Sequence, residues 1–298
     1  MIDSRLITFI TVAKTNNFTR AAEILNLTQP AVYQQVQYLE SHYGVKFIKK
    51  EGRHLKLTEE GKILLEYAKE MYAISQRMEE KLKDSSSIIR RHRIGATMTI
   101  GGYVLPSILG KYKNVNNNVN ITLHVDNTNI ILKKLIDREI ELAIVEGPFD
   151  KKKFKFKKFK DDELILAASP NHDFASRKSV ELEEVLEGNL LLREQGSGTR
   201  EIFESELIRR GYSPDTINAH MEVGSITSLV SLVEYNAGYT IISREAIQRE
   251  LEQGTIVVVP INNFSMLREF NFIYIDEKEM EFINGFINFC HETDYIYR

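Results

Sequence analysis

Near the amino terminus the apolar residues Leu6, Phe9, Ile10 and Ala13 recur at the three-and-four spacing of a helix with one buried face. Asn16 and Asn17 break the pattern. Asn17 or Thr19 can cap a second helix over 19–25, in which the small pair Ala21 and Ala22 admits a crossing helix at close range. After the short turn of Asn26 and Leu27, Thr28 can cap a third helix with Gln29 and Pro30 in its first turn, where proline's missing amide hydrogen costs nothing. Val32, Val36 and Leu39 form its buried stripe, and Gln29, Ala31, Tyr33, Gln34, Gln37 and Tyr38 its outer face. Two short helices joined by a tight turn, the second amide-rich on its outer face, predict a helix-turn-helix whose second member enters a DNA major groove. Residues 45–50 and 55–57 then alternate like strands around Glu51, Gly52, Arg53 and His54. That hairpin is a wing, with Lys49, Lys50 and Arg53 placed to reach phosphates.

Thr58 can cap a longer helix with Glu59 and Glu60 in its first turn, running to about residue 84 because no proline or later glycine interrupts it. Leu64, Met71 and Met78 lie seven apart, with Tyr67 and Ile74 three residues after the first two, which is an a/d seam of little more than two heptads. Such a face either packs on its own domain or pairs with a second copy of the chain. Ser85, Ser86 and Ser87 read as a hinge.

Beyond residue 93 apolar strands alternate with amphipathic helices: strands over 94–96, 119–125, 140–145, 164–169, 190–192, 240–243 and 270–275, and helices over 130–138, 199–210, 225–235 and 280–291. The alternation predicts parallel sheets with crossover helices, an α/β domain. Two strand-to-helix turns could hold a ligand, since free amide hydrogens at helix starts favour anions. One is 97–101, with Thr97 and Thr99. The other is 195–200, with Gln195, Ser197, Gly198 and Thr199, and with Arg200 as a cation; Ser225, after Gly224, is a third candidate. Serine and threonine are also ordinary helix caps, so each turn alone fits capping as well as binding. The lysine-rich stretch 151–160, interleaved with Phe154, Phe156 and Phe159, reads as a half-buried edge strand with phenylalanines in and lysines out; nucleic-acid binding is its other reading.

Composition sharpens this picture. A length of 298 residues predicts two domains, and 43% hydrophobic with 27% charged residues is ordinary for a folded soluble chain. Net charge is −3, yet residues 1–58 carry eight Lys or Arg against four Asp or Glu. That segment is therefore +4 and the remainder −7, a basic head on an acidic body. No stretch is long and apolar enough to span a bilayer, and the single Cys290 rules out an internal disulfide, so a cytoplasmic protein without metal or redox cofactor is expected. An enzyme is the rival class. However, the segment around Ser197 lacks the glycine two residues before the serine that a nucleophile elbow needs, and the seven histidines show no metal-ligand spacing.

Phe9, Val12 and Ala13, the run 18–22, Leu25 with 28–32, Leu39 and Glu40, Tyr43 and Gly44, and Leu57 and Thr58 with Gly61 resemble the head-piece signature of LysR-type transcription regulators. Tyr33 stands where that family usually has serine, and Gln34 and Gln37 stand in place of its usual arginines. The resemblance implies a winged helix-turn-helix over 1–58, with Arg20, Thr28, Gln29, Pro30, Ala31, Tyr33, Gln34, Gln37, Lys49, Lys50 and Arg53 on DNA. It implies a dimerising linker helix over 59–88 and an effector-binding domain over 89–298 of the periplasmic-binding-protein-like (type 2) α/β fold. That domain would have two lobes, 89–162 with 264–298 and 163–263. Residues 193–200 resemble the branch that governs sulfur assimilation and carbon fixation, which implies an oxyanion or small carboxylate as co-inducer. The expected partners are promoter or operator DNA, the effector, a second copy in a homodimer or homotetramer, and RNA polymerase.

Overall fold

The computed structural model of the chain describes residues 2–51, 54–83, 90–213, 217, 219–275 and 280–295. It separates into two compact units, residues 1–89 with 137–139, and residues 90–136 with 140–298. The expected hinge serines 85–87 lie outside the described residues.

The first unit opens with helices α1 (Ser4–Thr15), α2 (Phe18–Leu25) and α3 (Gln29–Tyr43). Asn16, in the left-handed conformation, ends α1, and the Asn17 side chain accepts from the amide of Arg20 to start α2. Thr28 caps α3 by accepting from Ala31, with Pro30 in the first turn. Leu6, Phe9, Val12, Ala21, Ala22, Val32, Val36 and Leu39 are buried in one core with Phe47 and Ala68. Each large member removed from water contributes roughly 1.5–3 kcal/mol. The wing is shorter than the sequence pattern suggests: β1 (Ile48–Glu51) pairs antiparallel with β2 (His54–Leu57). Phe47 falls outside it because it turns into the core and packs 5.5 Å from the Phe9 ring.

The buried Glu40 ties α3 to the wing. Its carboxylate accepts from the amides of Phe47 (2.9 Å) and Ile48 (3.3 Å) and from Lys46 Nζ (2.6 Å). The hydrogen bond and charge of Glu40 in turn hold the Lys46 ammonium above its usual range. Helix α4 (Glu59–Lys83) starts where Thr58 Oγ1 accepts from Gly61 N at 3.0 Å. A side chain at Gly61 would collide with the carbonyl of Phe47, at 2.1 Å, so only glycine lets α4 lie this close. Of the apolar seam on α4, Leu64 packs into the head's own core, whereas Tyr67, Met71, Ile74 and Met78 are exposed in the single chain.

The second unit is built on a nine-stranded sheet that is mixed rather than parallel. Its first half comprises β3 (Arg90–Thr97), β4 (Val119–Asp126) and β5 (Leu142–Val145), parallel to one another around β3. The other half has β7 (Leu190–Arg193), flanked in parallel by β8 (Met221–Val223) and β9 (Tyr239–Ser243). Two long strands join the halves and make the sheet mixed: β6 (Lys155–Ala168) and β11 (Met266–Tyr274) run antiparallel, from Leu164 opposite Met266 to Lys155 opposite Tyr274. The C-terminal part of β6 also pairs with β9 and with β10 (Val257–Val259). Residues 155–160 of the lysine-rich stretch are thus the front half of a 14-residue strand whose rear half is central, and residues 151–154 form a turn before it. Phe154 and Phe159 are buried as expected, but Phe156 is exposed.

Helices cover the sheet. A π turn at Ile100–Val104 leads into α5 (Leu105–Val115), followed along the chain by α6 (Thr128–Ile136), α7 (Leu182–Glu187), α8 (Gly198–Arg209), α9 (Ile226–Glu234), α10 (Gln248–Gln253) and α11 (Met280–Tyr295). Four separate apolar cores form in this unit among the described residues, and two of them mark its halves. One joins β3, β5, β11, α5 and α11 around Ile94, Phe272 and Phe286. The other joins β6, β7, β9 and α8 around Leu190, Phe203 and Tyr239.

Candidate functional site

The outer face of α3 is where a reading surface should be. Gln29, Pro30, Tyr33, Gln34 and Gln37 are exposed and Ala31 is half-buried. Gln37 Nε2 donates to Tyr33 Oη at 2.9 Å, and the Tyr33 ring meets Phe18 edge-on at 5.5 Å, so these two side chains are held in place rather than freely solvated. Thr28 is occupied as the cap, and Arg20 pairs with Glu23 at 2.6 Å on the exposed side of α2. Lys49 is exposed on β1. The Lys50 side chain and Arg53 lie outside the described residues. Amide side chains on a helix start, flanked by a basic hairpin, can hydrogen-bond base edges and phosphates.

In the second unit the two expected turns meet at one buried cation that the sequence reading missed. Arg268, on β11, is 5% exposed; its Nε donates to Asp162 Oδ2 at 2.6 Å, its Nη1 to Thr199 Oγ1 at 3.0 Å and its Nη2 to Thr99 Oγ1 at 3.5 Å. Asp162 is further held by Ser243 Oγ, which donates to it at 2.8 Å. Thr97, Thr99, Ser197, Gly198 and Thr199 are all buried, although hydroxyls at helix starts are usually exposed caps. Ser197 makes no side-chain cap bond to α8, and Thr97 Oγ1 has no hydrogen-bond partner; nor has Thr128 Oγ1, at the start of α6. The backbones here nearly touch: a side chain at Gly198 would stand 2.9 Å from Gly147 Cα, and one at Gly147 2.5 Å from Thr128 Oγ1.

Other expected residues fall elsewhere. Gln195 is exposed at the turn, where Gly196 adopts a positive φ of 83°. Ser225 is exposed and caps α9 by accepting from Ser228 N at 3.3 Å, the capping alternative. Arg200 is corrected as a ligand cation: it is spent on Glu204 and Glu222, each at 2.6 Å, and on the carbonyl of Arg193. Arg193 is itself buried and forked onto Glu194 at 2.8 and 2.9 Å. Glu146 completes the centre, 4.0 Å from Arg268. Burial pushes its carboxyl above the usual carboxylate range, and the charge of Arg268 and a hydrogen bond from Thr99 only partly pull it back. No local sequence signal marks Arg268, Asp162 or Glu146: Asp162 and Arg268 fall just before the strands read over 164–169 and 270–275, and Glu146 just after the one over 140–145.

Comparison with known proteins agrees with both halves. Residues 4–62 match the family model described as bacterial regulatory helix-turn-helix protein, lysR family, and residues 86–294 match the one described as LysR substrate binding domain. A protein of Phaeodactylum tricornutum named probable RuBisCO transcriptional regulator is 31% identical over 282 residues, covering 92% of each chain. The transcriptional regulator CysL of Bacillus subtilis is 27% identical over 268 residues, 90% of this chain and 89% of that one. The regulatory domain of CcmR from Synechocystis PCC6803, solved in complex with 2-PG, superposes with a TM-score of 0.60 at 20% identity, covering 66% of this chain and 96% of that domain. Among the described residues no helix is long and apolar enough to cross a membrane. The chain belongs to the LysR family: it is a transcription regulator with a helix-turn-helix head and an effector-binding domain, similar to proteins named RuBisCO transcriptional regulators and to CysL.

Proposed function

We propose that residues 90–298 bind a small anion, an oxyanion or a small carboxylate, at the meeting point of the 97–99 and 195–199 turns. Thr97, Thr99, Ser197 and Thr199 would supply hydroxyls and the start of α8 its free amides. The observation that carries this reading is that Thr99 and Thr199, from opposite halves of the sheet, both accept from the Arg268 guanidinium. An anion touching both turns would bind one arrangement of the halves better than another, which is what an effector needs in order to shift a population. That CcmR is solved with 2-PG, a phosphorylated carboxylate, supports the ligand class. Gly198 is part of the buried floor of this proposed site and the exposed Gln195 of its rim, while Ser225 is left as the cap of α9. Titration calorimetry of the full chain with sulfate, thiosulfate, phosphate and 2-PG tests it. Thr99→Val and Ser197→Ala should each weaken the bound anion by about 1–3 kcal/mol while operator affinity without effector is retained. A ligand indifferent to both changes places the site elsewhere.

The head reads double-stranded DNA through Gln29, Gln34 and Gln37, with Lys49, Lys50 and Arg53 on the backbone, and works in the cytoplasm as a homodimer or homotetramer in contact with RNA polymerase. The exposed Tyr67, Met71, Ile74 and Met78 support pairing through α4, since four large apolar side chains in one stripe are otherwise left in water. Ile74→Glu should lower the oligomer in sedimentation velocity and depress operator affinity with it; an unchanged oligomer rules out pairing through this face.

A further inference from the structure

From Gln29 to Tyr43, helix α3 holds four glutamines and three tyrosines but neither lysine nor arginine. Gln35 is turned towards α1, where its Oε1 accepts from Thr8 Oγ1 at 2.6 Å, and Gln29, Gln34 and Gln37 are exposed. Arginine and lysine, the commonest partners of guanine in the major groove, are thus missing from the helix, whereas a glutamine amide pairs with N6 and N7 of adenine. By its chemistry this face fits A·T pairs better than G·C pairs.

The tyrosines divide by what their rings do. Tyr38 is 52% exposed, but the Arg5 guanidinium lies over its ring at 3.7 Å and the His42 ring runs parallel to it at 6.3 Å, so Tyr38 serves packing within the head. Tyr33 is 47% exposed and is anchored at two points. Phe18, itself half-buried against the head's core, meets the ring edge-on at 5.5 Å, and Gln37 Nε2 donates to Tyr33 Oη at 2.9 Å. An oxygen that accepts from Gln37 keeps its own proton for donation elsewhere. Tyr33 therefore presents an apolar ring and a hydroxyl donor, held in place before DNA arrives. Thymine is the base whose major-groove edge offers the complement, a C5-methyl group with the O4 acceptor; cytosine offers a donor there, and guanine two acceptors without a methyl group.

We propose that Tyr33 reads a thymine, its ring against the C5-methyl group and its hydroxyl donating to O4, within A·T-rich half-sites whose adenines are read by the exposed glutamines. The proposal rests on α3 being the base-reading helix and names what it reads. The test uses the full chain and the duplexes it retains from a randomised pool, at one fixed salt concentration. The half-sites recovered should be A·T-rich, with thymine at one fixed position. Replacing that thymine by deoxyuridine, which removes only the methyl group, should weaken binding about fourfold, the worth of one methyl-sized group kept from water. Tyr33→Phe, which keeps the ring, should retain this penalty. Tyr33→Ser, which removes the ring, should bind the thymine and uracil duplexes equally; if Tyr33→Ser fails to fold, Tyr33→Gln takes its place. Gln29→Ala separates the two levels of the reading. If it leaves discrimination between selected and random duplexes untouched, α3 is not the reader and the thymine assignment falls with it. If Gln29→Ala relaxes discrimination, the thymine assignment alone is overturned by guanine-rich half-sites, by the absence of any uracil penalty, by its loss in Tyr33→Phe, or by its survival in Tyr33→Ser.

Discussion

The outer face of α3 and the centre around Arg268 both present polar side chains for recognition, but they do so under opposite conditions. Gln29, Gln34 and Gln37 are exposed on a helix whose other face, Val32, Val36 and Leu39, carries the stability. Arg268, Asp162, Glu146, Thr99 and Thr199 are buried, so the residues that would recognise a ligand are also the ones the fold must keep satisfied. A surface reader can change its specificity without consequence for the core. A buried polar centre cannot, because a charge deprived of its partner there costs several kcal/mol.

The largest expected effect follows from that contrast. Arg268→Met leaves Asp162 buried without its cation and should destabilise the second unit by about 3–5 kcal/mol in denaturant unfolding. Arg268→Met combined with Asp162→Leu should recover much of the loss. A cost under about 1 kcal/mol for the single change would mean the centre is far wetter than its burial suggests, and the contrast with α3 would collapse.

On the other side of the comparison, Gln29→Ala should leave the melting temperature nearly unchanged yet reduce discrimination between operator and random DNA by about 1–3 kcal/mol. Lys49→Ala should weaken both DNAs alike and flatten the salt dependence. Competition binding with the two DNAs separates these outcomes, and equal weakening by Gln29→Ala would remove α3 as the base reader.

The smallest effect is the pH response of Glu146. Its folded-state carboxyl lies above the ordinary value of roughly 4.3, so the folded chain binds more protons than the unfolded one between the two values. Stability should therefore fall as pH rises through that window, and stay reduced above it. Glu146→Gln should raise the melting temperature at neutral pH, with the gain shrinking towards pH 4. A gain that is the same at both pH values would show that Glu146 is not the titrating group.

The head was almost entirely legible because its signals are local. Asn17 and Thr28 cap the helices the pattern assigned them, Ala21 and Ala22 are the buried close contact, and Gly61 is needed where α4 passes Phe47. Even here Glu40, an acidic residue on a mostly polar helix, gave no hint that it is buried and binds the wing, since its partners lie six to eight residues away on another element. In the second unit the two turns were legible as strand-to-helix junctions, but Ser225 proved an exposed cap and Arg200 an ion-pair partner, while Arg268 went unnoticed.

By itself, then, the sequence determined the helices of the head, the long α4, the alternation of strands and helices beyond residue 90 and the two hydroxyl-bearing turns. All of these rest on periodicity and capping, which act within a few residues. Only the tertiary structure decided that the sheet is mixed, because the pairing of β6 with β11 joins positions about a hundred residues apart, such as Leu164 and Met266. It also decided that Thr99 and Thr199 share one guanidinium. Burial and long-range charge pairing depend on which distant segments the fold brings together, and no local spacing of residues records that.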